Sequence, residues 1–95
     1  MILLSSEVIS DMGRLRNFLH AKSPDAAARA MRAVWATLAR LEDFPELGRP
    51  TKDPGIRQII VRFGAGAYVV RYTVREERGT LFVTRIWHSR EERPR

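Results

Sequence analysis

The chain has 95 residues, 17 basic and 11 acidic side chains, a formal net charge of +6, and no cysteine. That length supports one hydrophobic core under about two layers of secondary structure, so a single domain over residues 1–95 is expected. The missing thiol excludes a disulfide framework, a thiolate zinc site and a cysteine nucleophile, and the basic surplus points to an acidic partner.

The surplus is uneven. Residues 1–56 carry 8 basic and 7 acidic groups, whereas residues 57–95 carry 9 and 4. Only Lys22 and Lys52 are lysine, and the other basic residues are all arginine, whose fork suits phosphate and carboxylate. The opening MILLSS is short for a signal-peptide core and lacks a basic start. No apolar run approaches the roughly 20 residues needed to cross a bilayer. A cytoplasmic protein without a membrane partner is expected.

Residues 1–4 form an apolar run suited to an edge strand. Ser5 or Ser6 then caps a helix over residues 7–21, with Glu7 at its positive end. Val8, Met12, Leu15 and Leu19 make one apolar stripe on it, widened by Ile9 and Phe18. Ser23-Pro24-Asp25 is a strong second helix start. Ala27, Met31, Val34, Leu38 and Leu41 form the second stripe, with Trp35 beside it, and Trp35, Met31 and Leu38 are read as core. So short a link predicts an antiparallel helical hairpin. Residues 44–55 hold three prolines and two glycines and read as irregular.

From Arg57 the period becomes two. Arg57, Ile59, Val61 and Phe63 share one face of a strand, and Gln58, Ile60 and Arg62 the other. Gly64-Ala65-Gly66 is a hairpin turn. Tyr68, Val70, Tyr72 and Val74 then share a face opposite Val69, Arg71 and Thr73. Glu76-Glu77-Arg78-Gly79 makes a second turn. Strict alternation puts Leu81, Val83, Arg85 and Trp87 on one side of the last strand, and Phe82, Thr84, Ile86 and His88 on the other. The expected architecture is α+β: a short strand, a helical hairpin and a three-stranded antiparallel meander, in the order β-α-α-β-β-β. The helices cover the Tyr68–Tyr72 face, which leaves Arg71 on the open face.

The candidate cations are Arg57, Arg62, Arg71, Arg85 and Arg90. Each is either paired with Glu76, Glu77, Glu91 or Glu92, or simply solvated, or joins a cluster around Arg71 that would take carboxylate or phosphate. Trp87 is a partner anchor or a stacking surface for a base if it shares that open face. His88 either packs at the strand end or acts as a proton shuttle beside Arg71, Arg85 and Arg90. His20, late in the first helix, suits the helix dipole. No metal constellation, phosphate loop or cofactor motif is present, so no cofactor is expected.

Several of these residues together resemble the RelE/ParE superfamily of bacterial type II toxins. The likeness runs through Leu47-Gly48-Arg49 after the second helix, Arg57 opening a strand, the Tyr68–Tyr72 strand, and the closing His88-Ser89-Arg90. The resemblance implies a helical hairpin on a small antiparallel sheet and a cognate antitoxin, acidic and partly disordered, with its own DNA-binding domain. Operator DNA would be reached only through that antitoxin. RelE-type members cleave mRNA on the ribosome and carry a basic residue just after the first tyrosine of the middle strand and an acid/base, often tyrosine, near the C-terminus. Here Val69 follows Tyr68, and the tail SREERPR has no tyrosine. That departure resembles the ParE-type branch, which implies inhibition of DNA gyrase, growth arrest and plasmid stabilisation without catalysis. The alternatives are an mRNA endoribonuclease using His88 with Arg71, Arg85 or Arg90, and a degenerate module that only binds its antitoxin.

Overall fold

The computed structural model describes residues 1–64, 66–75 and 79–90. Its elements are β1 (Ile2–Leu4), α1 (Ser6–Lys22), α2 (Pro24–Asp43), β2 (Arg49–Pro50), β3 (Ile56–Phe63), β4 (Gly66–Arg75) and β5 (Thr80–His88). The expected turn at residues 76–78, the central residue 65 of the first turn and the pairings of Glu91 and Glu92 lie outside the described residues.

The two helix starts form as their sequences dictate. Ser5 Oγ accepts from the Val8 N–H at 2.9 Å and caps α1. The same hydroxyl donates to the Thr84 carbonyl at 2.8 Å, which ties the start of α1 to β5. Ser23 is the entire link between the helices. Its N–H donates to the Leu19 carbonyl at 2.8 Å, closing α1, while its hydroxyl accepts from Ala26 N–H and opens α2. One residue serving as both caps forces the chain straight back, so the hairpin is tighter than the spacing alone required.

The sheet order is β1-β5-β4-β3-β2. Strands β3, β4 and β5 form the expected antiparallel meander. At one edge β1 runs parallel to β5, with Ile2 opposite Leu81 and Leu4 opposite Val83, so the sheet is mixed. At the other edge the stretch read as irregular supplies β2, where Arg49 pairs with Gln58 and Pro50 with Arg57. Proline is tolerated there because an edge strand leaves its missing N–H unneeded.

Val8 and Leu15 of α1 and Ala30, Val34, Leu38 and Leu41 of α2 pack on Val61, Tyr68, Val70, Tyr72, Leu81, Val83 and Ile86. Fully burying each valine, leucine or isoleucine of this set contributes about 1.5–3 kcal/mol. Three residues read as part of the apolar stripes lie outside this core: Ile9, Phe18 and Trp35 are exposed. They sit on the shoulders of their helices, beyond the arc a flat sheet can cover. Among the described residues no helix is long and apolar enough to cross a membrane.

Strict alternation fails once, in β5. Arg71 pairs with Arg85 but Tyr72 pairs with Val83, so Thr84 is an extra residue, a β-bulge. Its hydroxyl donates to the Arg71 carbonyl at 3.1 Å across the break. The bulge corrects the expected facing: Leu81 and Val83 before it, and Ile86 and His88 after it, all lie on the helix side. Trp87 does share the open face with Arg71, yet it is 4 % exposed rather than a free aromatic anchor.

Candidate functional site

Residues directly opposite on paired strands share a face, so the ladder fixes which side chains meet on the open side of the sheet. Arg49, Gln58 and Arg71 form one row across β2, β3 and β4. Two residues along β3, Ile60, Val69 and Trp87 form the next. Arg62, opposite Ala67, lies two residues further. The Arg71 guanidinium stands 4.9 Å from the centre of the Trp87 ring, a cation–π contact that orients it and shields the indole. At the far end of β4, Arg75 lies 5.3 Å over Phe82. Among the described residues no carboxylate pairs with Arg49, Lys52, Arg62 or Arg71.

Arg49 reaches this row because a buried clamp holds the loop before it. The Tyr72 hydroxyl accepts from the Gly48 N–H at 2.8 Å and donates to the Pro45 carbonyl at 2.8 Å. Burial raises the Tyr72 pKa and keeps the phenol protonated for that donation; the Gly48 N–H and Arg57 pull the other way. A side chain at position 48 would overlap the phenol, so glycine is required by close approach. Arg57 projects to the helix side and completes the clamp, donating to the Gly48 carbonyl at 2.7 Å and the Glu46 carbonyl at 3.4 Å. It supports the loop and does not join the Arg71 cluster.

Arg85 is also engaged elsewhere. Its Nε donates to Asp11 Oδ2 at 2.8 Å and its Nη2 to Asp11 Oδ1 at 3.1 Å. The same carboxylate accepts from the Ile86 N–H at 3.0 Å and from Arg14 at 3.0 Å. Burial alone would raise the Asp11 pKa, but the bonds from Arg85, Ile86 N–H and Arg14 together outweigh it and hold the carboxyl below its ordinary value. The bonded carboxylate in turn raises the Arg85 pKa. Without this pair, two arginines would confront each other across β4 and β5, which is unfavourable on one sheet face.

His88 lies on the helix side, opposite Tyr68, in a cleft between the end of α1 and the β3–β4 turn. Its ring stands edge-on to Tyr68 at 5.5 Å between centroids. Its Nδ1 accepts from the Arg90 N–H at 3.1 Å, so Nε2 carries the ring proton in this arrangement. Lys22, Phe18, Phe63 and Arg90 complete the cleft. His88 and Arg71 therefore project from opposite faces of the sheet. The structure brings Arg90 to His88, and Arg71 to Trp87 and Arg49, but it does not bring His88, Arg71 and Arg85 together.

Comparison with known proteins agrees with this fold. The family described as ParE toxin of type II toxin-antitoxin system, parDE, matches residues 2–93. Toxin RelE1 of Caulobacter vibrioides is 39% identical over 92 residues, covering 97% of this chain and 96% of that protein. Toxin RelE3 of the same organism is 35% identical over 83 residues, covering 87% of each. A solved structure of the chromosomal ParDE TA system from P. aeruginosa shares the fold at TM-score 0.72 and 16% identity, covering 92% of each chain. The chain belongs to the ParE toxin family, within the RelE/ParE superfamily of type II toxin–antitoxin systems. Membership implies a cognate antitoxin as partner.

Proposed function

We propose that this toxin is of the ParE kind, acting in the cytoplasm by binding DNA gyrase rather than by cleaving mRNA. The centre of the open face carries this reading. Val69 occupies the place after Tyr68 where the ribonuclease branch would need a cation, and its cross-strand neighbours are Ile60 and Trp87. Cleaving a phosphodiester needs an acid/base and cations converging on one phosphate. Here the only imidazole of the sheet and the Arg71 row face apart, and Arg85 already neutralises Asp11. What remains is a cationic surface with Ile60 exposed at its centre, suited to holding a protein partner. The antitoxin, acidic and partly disordered, would cover part of this surface and repress its own operator through a separate DNA-binding domain.

The names of the two Caulobacter relatives favour the second reading, an mRNA endoribonuclease. On that reading the His88 cleft, where Lys22 and Arg90 stand, is where a scissile phosphate would sit. Antitoxin-free protein added to a translating extract separates the two. Intact ribosome-bound mRNA is expected. Site-specific cuts that disappear with His88→Ala would overturn the gyrase reading.

A further inference from the structure

The open face carries a spaced pattern of cations that form no ion pair among the described residues, with Asp53 the one carboxylate lining the cleft where Arg49, Lys52 and Arg71 stand. Arg49 and Arg71 flank Gln58 in one row, the exposed Ile60 lies two residues along β3, and Arg62 lies two residues beyond that. A strand rises about 3.3 Å per residue, so these three stations are spaced by roughly 6.6 Å, the repeat of same-side residues in any extended peptide. Neighbouring strands lie about 4.8 Å apart, so the Arg49 and Arg71 backbones stand roughly 9.6 Å apart, and their long side chains can close on one carboxylate over Gln58. Both cations are held in place by separate devices. The Tyr72 clamp fixes the loop that presents Arg49, and the Trp87 ring supports Arg71. Lys52 joins them at the rim of a cleft of about 380 Å³.

We infer that this face is a docking strip for an extended acidic segment with the pattern acid-x-apolar-x-acid, laid along β3. The first carboxylate lies between Arg49 and Arg71 and accepts from Gln58, the apolar side chain covers Ile60, and the second carboxylate meets Arg62. A peptide matches this strip better than a nucleic acid does. Successive phosphates would need cations at every station, and the middle station is apolar. The inference rests on the family's antitoxin as the source of the segment, and does not depend on whether gyrase or mRNA is the target.

The test titrates the full chain with a fluorescein-labelled, end-capped peptide carrying Glu-x-Leu-x-Glu in a Ser/Thr background. The controls are the same composition with both glutamates adjacent, and a uridine oligomer of similar length. The spaced peptide is expected to bind at least ten-fold more tightly than the scrambled one. Arg49→Ala and Arg62→Ala, which remove exposed side chains that bond to nothing else described, are each expected to weaken it five-fold or more, while Arg29→Ala, on the exposed side of α2, leaves it unchanged. Equal binding of both peptides, equal binding by the Arg49 and Arg62 variants, or preferential binding of the uridine oligomer would overturn the docking strip. A loss of peptide binding alongside unchanged gyrase inhibition in these variants would separate the strip from the target surface.

Discussion

Asp11 is 2 % exposed and accepts four hydrogen bonds, so one carboxylate joins α1 to the bulged part of β5. Replacing it with asparagine leaves Arg85 and the Ile86 N–H poorly matched, at an expected cost of about 2–3 kcal/mol at neutral pH. The carboxyl is held below its ordinary value in the folded protein, so its contribution is complete above the unfolded pKa, near 4. It is lost as pH falls through the lower folded value. Denaturant titrations should therefore show wild type and Asp11→Asn converging below about pH 4; a constant gap down to pH 3 would contradict this account. Tyr72→Phe removes the one hydroxyl that satisfies both Gly48 N–H and the Pro45 carbonyl, and is expected to cost about 1–2 kcal/mol, read as a lowered Tm. None of this was legible in the chain. Nothing local marks Asp11 or Tyr72 as a tie, because their partners lie 74 and 24 residues away.

The helices and the meander were legible, since capping serines, a proline at the first helical position and the switch from period 3.6 to period 2 are local signals. Two features escaped that reading for a physical reason. The two-residue β2 is too short to show a period, and its pairing is set by the clamp rather than by its own side chains. A bulge adds one residue without any composition mark, and Thr84 is as good a strand former as its neighbours. It decides which way every later side chain of β5 points. Deleting Thr84 would force either Leu81 and Val83 or Ile86 and His88 out of the core. The deletion is expected to abolish cooperative thermal unfolding and flatten the near-ultraviolet circular dichroism; a sharp transition near the wild-type Tm would show that the bulge is dispensable.

Across the whole molecule, charge and apolar surface divide the work. The helices and one face of the sheet make the core, while the other face gathers Arg49, Arg62 and Arg71 around Ile60, with Arg75 over Phe82 at the far end of β4. The cationic character of the C-terminal part was legible from composition, but which arginines stand together was not. Arg57 and Arg85 were equal candidates until clamp and carboxylate claimed them. A partner held by the remaining cations should associate more slowly in salt, because screening shortens the Debye length from about 10 Å at 0.1 M to about 3 Å at 1 M. The spaced acidic peptide is therefore expected to lose at least ten-fold in affinity over that range; salt-independent binding would contradict the role of these charges. The central claim, a toxin that binds rather than cuts, is tested most directly by adding the antitoxin-free chain to gyrase and relaxed plasmid with ATP. Loss of supercoiling that is unaffected by His88→Ala is the predicted result. Full supercoiling at a toxin excess that arrests growth in cells would contradict it.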